Sequence, residues 1–254
     1  MASFDQVKKE YDSQASTYDD YTATPLGKLE TQLLASALGD CTGATVLDLA
    51  GGTGLRARQV LAQGAVSVDV VDLSPEMLRI GQETTDPTAN VRWFVADVSR
   101  PLDHLPLRQY DIVMANWVFD HANSIAELEG MWRNVVGCTR PGGRFVGVRS
   151  ADPRSPAVAD GRARYGVTYK DFEDGPEGVR FRYAIHLDPP IEFEASSMRV
   201  SYSGSTAMHE KFGLHDVQIE PYENAEVVRS DGAFWKVFLD RPSLAVVKAR
   251  KRLD

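Results

Sequence analysis

The stretch from residue 45 to residue 58, TVLDLAGGTGLRAR, constrains this chain more than any other. Its first part, Val46-Leu47-Asp48-Leu49, is a short apolar run suited to a buried strand. Gly51-Gly52-Thr53-Gly54 comes next, where glycines permit a tight turn and a close approach of backbone to ligand. Residues 55–61 then resume with helix-compatible side chains. Strand, glycine turn and helix start make the front half of a nucleotide-type α/β unit. The helix N-terminus aims free N–H groups at the turn, which suits a carboxylate or another anionic part of a ligand.

The rest of the chain repeats that rhythm. Leu29, Leu33, Ala37 and Leu38 mark an amphipathic helix ahead of the strand, ending near Gly39. A β-branched run over 66–71 predicts a second strand, and Ser74-Pro75-Glu76 predicts a helix with Ser as cap and Pro in its first turn. Strands are expected at 91–95 and 110–117, a helix at 124–138, a turn at 140–143 and a fifth strand at 144–148. Strands alternating with helices predict a doubly wound, mostly parallel α/β sheet, a Rossmann-like arrangement with its ligand at the C-terminal strand edge. Beyond residue 150 the text changes. Residues 152–180 are rich in Pro, Gly and Asp with little periodicity, and 179–203 alternate like antiparallel strands. The expected organisation is an N-terminal helical segment over 1–27, then one domain over 28–254 with an antiparallel insertion at about 150–204. A terminal strand at 243–249 completes the sheet, and the KARKR run at 248–252 is expected to be a solvated tail.

Composition narrows the partners. A formal net charge of −8 opposes binding to a phosphate backbone, so no nucleic acid is expected. No apolar run approaches the roughly 18 residues of a membrane helix, and the start MASFDQVKKEYD lacks a signal-peptide core. Two cysteines, Cys41 and Cys138, form no framework, which suits a reducing cytoplasm. His104, His186, His209 and His215 lack metal-ligand spacing, so no metal is expected. The chain reads as a cytoplasmic protein acting on a small molecule, of undetermined oligomeric state.

Three acids sit at strand ends. Asp48 precedes the glycine turn, Asp72 follows 24 residues later where a carboxylate can accept both ribose hydroxyls, and Asp97 ends the third strand, able to accept from an adenine amino group. The blander reading is that each caps a turn. Gly52-x-Gly54-x-x-Ala57 also fits the dinucleotide pattern, so NAD(P) remains a rival ligand. Asp48 ahead of the turn and the Asp97-Val98 pair speak for S-adenosylmethionine instead.

The segments VLDLAGGTG, VDLSPEML, ADV and RPGGRFV together resemble the class I S-adenosylmethionine-dependent methyltransferases, over roughly residues 10–149. The family pattern D-x-G-x-G-x-G has Ala50 at its first glycine here, which a small side chain should tolerate. The resemblance implies that Ala50, Gly51, Gly52, Thr53 and Gly54 back the methionine part of the cofactor, that Asp72 holds the ribose, and that Asp97-Val98 frame the adenine. Tyr18, Asp48, Leu73, Met77 and Asn116 join this cofactor set. A narrower similarity, carried by YDSQASTYDDY, ANWVFDHANS, RARYGV and FWKVFLDRPS, is to the toxoflavin-synthase type, small-molecule N-methyltransferases acting on a heteroaromatic ring. Those relatives tend to carry Asn-Tyr where this chain has Asp120-His121.

Methyl transfer is an in-line displacement, so holding donor and acceptor in line supplies most of the rate. A base is needed only if the acceptor must lose a proton. His121, after the fourth strand, is the candidate base, or else a packed or capping His; Asp120 either orients it or pairs with a cationic acceptor. Tyr21, Trp117, Tyr165 and Trp235 are candidate substrate-binding aromatics, with core packing as the alternative. Phe4, Tyr11, Tyr18 and Tyr21 form an N-terminal ladder, Tyr11 and Tyr18 at helical spacing, which either packs on the domain or covers the cleft. The expected activity is transfer of a methyl group from S-adenosylmethionine to N or O of a small aromatic or heteroaromatic metabolite. The alternatives are an NAD(P)-dependent oxidoreductase and a non-catalytic or cyclase-like protein that keeps the cofactor fold.

Overall fold

A computed structural model describes residues 4–202 and 205–253, with side chains from residue 8 onward. The chain opens with α1 (Phe4–Gln14), a short 3-10 helix (Tyr18–Ala23) and α2 (Pro25–Leu38). There follow β1 (Thr45–Leu49), α3 (Leu55–Ala62), β2 (Ser67–Asp72), α4 (Pro75–Thr84), β3 (Val91–Val95), β4 (Tyr110–Ala115), α5 (Ile125–Cys138) and β5 (Thr139–Ser150). After α6 (Pro156–Ala159) come β6 (Val167–Asp174), β7 (Gly178–Ile185) and β8 (Ile191–Met198). The chain ends with α7 (Ala207–Lys211), β9 (Leu214–Ile219), α8 (Glu226–Ser230), α9 (Gly232–Asp240) and β10 (Leu244–Lys251).

A seven-stranded sheet runs in the order β3-β2-β1-β4-β5-β10-β9. Its first five strands are parallel, as the alternating pattern predicts, and β10 runs antiparallel between β5 and β9. A separate antiparallel sheet holds β6, β7 and β8. The caps behave as the residues suggest. The Ser74 hydroxyl accepts from the Met77 N–H and the Ser124 hydroxyl from the Glu127 N–H, each satisfying one free donor of a first turn. One core, with Leu29, Leu33, Val46, Val70 and Val146, lies under α2 and α3. The other, with Leu47, Leu128, Met131 and Phe145, lies under α5, where Trp132 stacks on Phe119 at 4.4 Å.

Several expectations need correction. The 152–180 stretch contains β6, because Pro and Gly cluster before Val167 and not within the strand. The turn expected at 140–143 is part of β5, which absorbs Pro141 and Gly142 (φ +71°) as an irregularity in its pairing with β4. The basic run at 248–252 is not a loose tail. Lys248 lies in β10 and pairs with buried Glu220 at 2.7 Å, and Lys251 donates to the Val136 and Thr139 carbonyls at 2.8 Å. Tyr11 and Tyr18 do not share one helix, since α1 stops at Gln14, yet their rings meet at 5.8 Å. The side chain of Phe4 lies outside the described residues. Among the described residues no helix is long and apolar enough to cross a membrane.

Gly54 earns its place through packing. Its φ is +70°, and an added Cβ would sit 2.5 Å from the Trp93 ring. Gly54→Ala should therefore destabilise the fold by about 2 kcal/mol, from left-handed strain and overpacking together. Chemical denaturation measures this, and Trp93→Leu in the same chain should recover part of the loss.

Candidate active site

The chain turns back between β1 and β4: β2 and β3 build outward on one side of β1, and β4 and β5 on the other. At such a switch point the loops leaving the two central strands diverge and open a crevice at their carboxyl ends. A cleft of about 1050 Å³ lies here. Asp48, Ala50, Gly51, Gly52 and Thr53 line it from the end of β1, Asp72, Leu73 and Met77 from the end of β2, Asp97 and Val98 from beyond β3, and Asn116 from the end of β4. Tyr18, Tyr21, Trp117 and His121 also face it. Gly54 does not, because Trp93 covers it.

Asp48 and Asn116 are the informative pair. Asp48 is fully buried, and neither of its oxygens nor either polar atom of the Asn116 amide finds a hydrogen-bond partner among the described residues. An unpaired buried polar group costs roughly 1–3 kcal/mol. Asp69, an equally buried acid on the neighbouring β2, shows how this chain treats a structural carboxylate. It accepts from Arg92 at 2.7 and 2.5 Å and from the Tyr110 hydroxyl. Burial without such partners pushes the Asp48 carboxyl up to about 7, against the pull of Arg56. Four unmatched polar atoms at a switch point fit a ligand that brings its own donors and acceptors, such as an amino acid head group.

The glycine turn is tight and its N–H groups are committed. Gly51 donates to the Val71 carbonyl at 3.2 Å, Gly52 to Asp72 Oδ2 at 2.8 Å and Gly54 to the Gly51 carbonyl at 2.9 Å. A Cβ on Gly51 would sit 2.8 Å from the Asp48 carboxyl, whereas one on Gly52 would meet open space. Ala50 holds φ +56°, a left-handed conformation that costs an Ala about 1–2 kcal/mol and explains why a glycine would be at home there. Asp72 takes the Ser74 N–H at 2.8 Å on its other oxygen, and burial raises its carboxyl above the usual range. Asp97 Oδ1 accepts the Ser99 N–H at 2.8 Å and its hydroxyl at 2.7 Å. Both acids therefore cap turns and line the cleft at once.

The N-terminal segment crosses the mouth of the cleft and is fastened on both sides. Toward α4 and the glycine turn, the Ser74 hydroxyl donates to Asp12 at 2.5 Å, and Asp19 accepts from the Thr53 hydroxyl at 2.5 Å and from Arg58 at 2.6 Å. Toward β8, Glu10 accepts the Glu194 N–H at 3.0 Å, and the Gln14 amide exchanges bonds with the Glu192 backbone at 3.0 and 3.1 Å. Between these, the Tyr11 hydroxyl lies 3.0 Å from both His121 Nε2 and the Tyr183 hydroxyl. His121 is half-buried, and desolvation holds its imidazole down at about 4; its Nδ1 has no partner among the described residues. Asp120 does not orient it. The Asp120 carboxylate accepts instead from the Ser150 N–H at 3.0 Å and the Ser197 hydroxyl, tying the loop after β4 to β5 and β8.

A second cavity of about 500 Å³ adjoins the first and shares Tyr18, Tyr21, Trp117 and His121 with it. Tyr169, Phe181 and Tyr183 of the small sheet close its far side. At the junction stands Glu30, a residue that pattern reading passed over because a lone Glu on an amphipathic helix looks solvated. It is 2% exposed and accepts from the Tyr21 hydroxyl at 2.8 Å, the Trp117 indole at 2.8 Å and Arg56 at 2.5 Å. Trp117 itself has φ +63°, a strained conformation for a bulky residue. Tyr165 and Trp235 belong elsewhere. They stack on each other at 4.9 Å, and the Tyr165 hydroxyl donates to the Phe234 carbonyl at 2.8 Å, in a core cluster under α9 that lines neither cavity. Among the described residues no His, Cys, Asp and Glu cluster is suited to a metal.

Residues 46–143 match a family model described as a methyltransferase domain. A demethylmenaquinone methyltransferase of Tropheryma whipplei (strain Twist) is 28% identical over 153 residues, which cover 59% of this chain and 61% of that relative. Among solved structures, a DhpI-SAH complex superposes with a TM-score of 0.63 at 18% identity, covering 99% of this chain and 98% of that one. The [4+2]-cyclase SpnF superposes with a TM-score of 0.62 at 14% identity, covering 100% and 98%. At these identities the structural likenesses establish the fold.

Two outcomes follow from the buried acids. The Asp48 carboxyl holds its proton more tightly in the folded chain than in the unfolded one, so its contribution to stability is lost as pH rises from about 4 to about 7. Asp48→Asn should therefore stabilise the free protein more at pH 8 than at pH 5, by an amount on the order of 2 kcal/mol. Thermal unfolding at the two pH values checks this. Glu30→Ala leaves Arg56 buried and unpaired and should cost roughly 3–5 kcal/mol in denaturant unfolding, with Glu30→Gln milder.

Proposed function

We propose that this chain, whose residues 46–143 match a methyltransferase domain, is a class I S-adenosylmethionine-dependent enzyme that moves the methyl group to nitrogen or oxygen of a small aromatic or heteroaromatic metabolite. The observation that carries this reading is the pair of unmatched groups, Asp48 and Asn116, lining a cleft that adjoins a second cavity with aromatic walls. When bound, the cofactor supplies an electrophilic methyl group on a sulfonium. Asp48 and the Asn116 amide would take the ammonium and carboxylate of its amino acid part, Asp72 its ribose hydroxyls, and Asp97 with Val98 the adenine. Tyr18, Tyr21 and Trp117, common to both cavities, would hold the acceptor ring against the donor.

His121 supports nitrogen over oxygen. With its imidazole held at about 4 it is neutral at physiological pH and a weak base. It accepts or donates a hydrogen bond and aligns an acceptor, but pulls a proton from a hydroxyl poorly. A ring or amine nitrogen attacks with a lone pair already free and loses its proton afterwards. The aromatic roof over 8–23 fits the reading of the N-terminal segment as a cover for the cleft, with 28–254 as the domain beneath it.

The rival ligand fits less well. A dinucleotide pyrophosphate needs free N–H groups in the glycine turn. Those of Gly51, Gly52 and Gly54 are already bonded to Val71, Asp72 and Gly51. A non-catalytic or cyclase-like protein shares the cofactor cleft and differs only in turnover.

Calorimetry with S-adenosylmethionine and NAD, followed by an acceptor panel read by S-adenosylhomocysteine release, separates the three. Tighter binding of NAD sinks the reading, and binding without turnover on any acceptor favours the third. His121→Ala should lower turnover by on the order of tenfold while leaving cofactor affinity within about twofold, the mark of a group that touches the acceptor. An unchanged rate makes His121 a packing residue.

A further inference from the structure

We infer that the second cavity admits an uncharged planar ring compound and turns away acceptors that carry a phosphate, carboxylate or other anion. The inference rests on the reading of this cavity as the acceptor site. Its walls are aromatic, with Tyr18, Tyr21, Trp117, Tyr169, Phe181 and Tyr183, and among the described residues they contain no Arg or Lys. The one charged side chain among the described lining residues is a carboxylate, Asp120, beside Ser150.

Nearby cations are paired with acids or lie outside this lining. Arg56 is bound to Glu30 at 2.5 Å, and Lys8 to Asp12 at 2.7 Å. Arg149, buried behind Asp120, turns its guanidinium onto the Ser201 carbonyl and onto the Ser205 carbonyl at 3.2 Å. His121, the remaining basic group of the lining, is uncharged near neutral pH. An anion entering this space would leave water, meet a carboxylate and find no cation, a cost that buried charges avoid only by pairing. A neutral flat ring loses little hydration and meets the faces and edges of six aromatic side chains. The Asp120 oxygens each accept one bond, from the Ser150 N–H and the Ser197 hydroxyl. A carboxylate has about four acceptor sites, so Asp120 can also take an N–H or O–H borne by the ring.

The test uses the full chain saturated with S-adenosylhomocysteine and titrated with 2-naphthol or 2-naphthoate in a calorimeter. Two variants accompany it: Ala195→Phe, which fills the cavity, and Asp120→Asn. The neutral compound should bind, the carboxylate should bind at least about tenfold more weakly, a difference of about 1.4 kcal/mol, and Ala195→Phe should abolish naphthol binding. Asp120→Asn should narrow the gap, and a gap that persists in full overturns Asp120 as its source. Naphthoate binding as tight as naphthol overturns the inference while the acceptor-site reading stands. Binding of neither compound, or naphthol binding untouched by Ala195→Phe, removes the acceptor site and the inference with it.

Discussion

A parallel sheet whose winding reverses between β1 and β4 cannot cover the carboxyl ends of those two strands with its own crossovers. Everything distinctive in this molecule answers that opening. The glycine turn and the acids at the ends of β1 and β2 line it, and two additions outside the repeating pattern close it over. The N-terminal segment spans it from α4 to β8, and the small antiparallel sheet walls the far side of the cavity that adjoins it. Neither addition could hold a cavity alone. The two are joined through Tyr11 and Tyr183, whose hydroxyls meet at 3.0 Å.

The part of this arrangement readable in the sequence is the part fixed by local chemistry. Period and caps located β1 to β5 and the helices between them, since a Ser before Pro75 or a β-branched run has few local solutions. Asp48 and Asp72 stood out because strand ends follow directly from strand limits. Glu30 was invisible, because its meaning comes from Tyr21, Arg56 and Trp117, which lie 9, 26 and 87 residues away in sequence. Tyr165 and Trp235 misled for the same reason in reverse. An aromatic side chain is equally at home in a core or a site, and only the three-dimensional neighbours distinguish them. In β6, local signals were masked by the Pro- and Gly-rich text preceding it.

Two buried strand acids mark the boundary between architecture and chemistry. Asp69 and Asp48 are both inaccessible and lie on adjacent strands, yet one is surrounded by donors and the other has no hydrogen-bond partner among the described residues. A fold has no use for an unmatched carboxylate, which weakens it at neutral pH. Its retention at the end of the central strand is the kind of local inconsistency that functional sites carry.

Trp117 sets stability and selectivity against each other. Its backbone sits where a glycine would be relaxed, and holding a bulky residue there costs about 1–3 kcal/mol. The substitution that would ease the chain is thus also the one that would delete the wall between the two cavities. Selection or laboratory evolution for heat resistance alone would tend to merge them, so a more robust descendant of this protein would have one wider space where this chain has two.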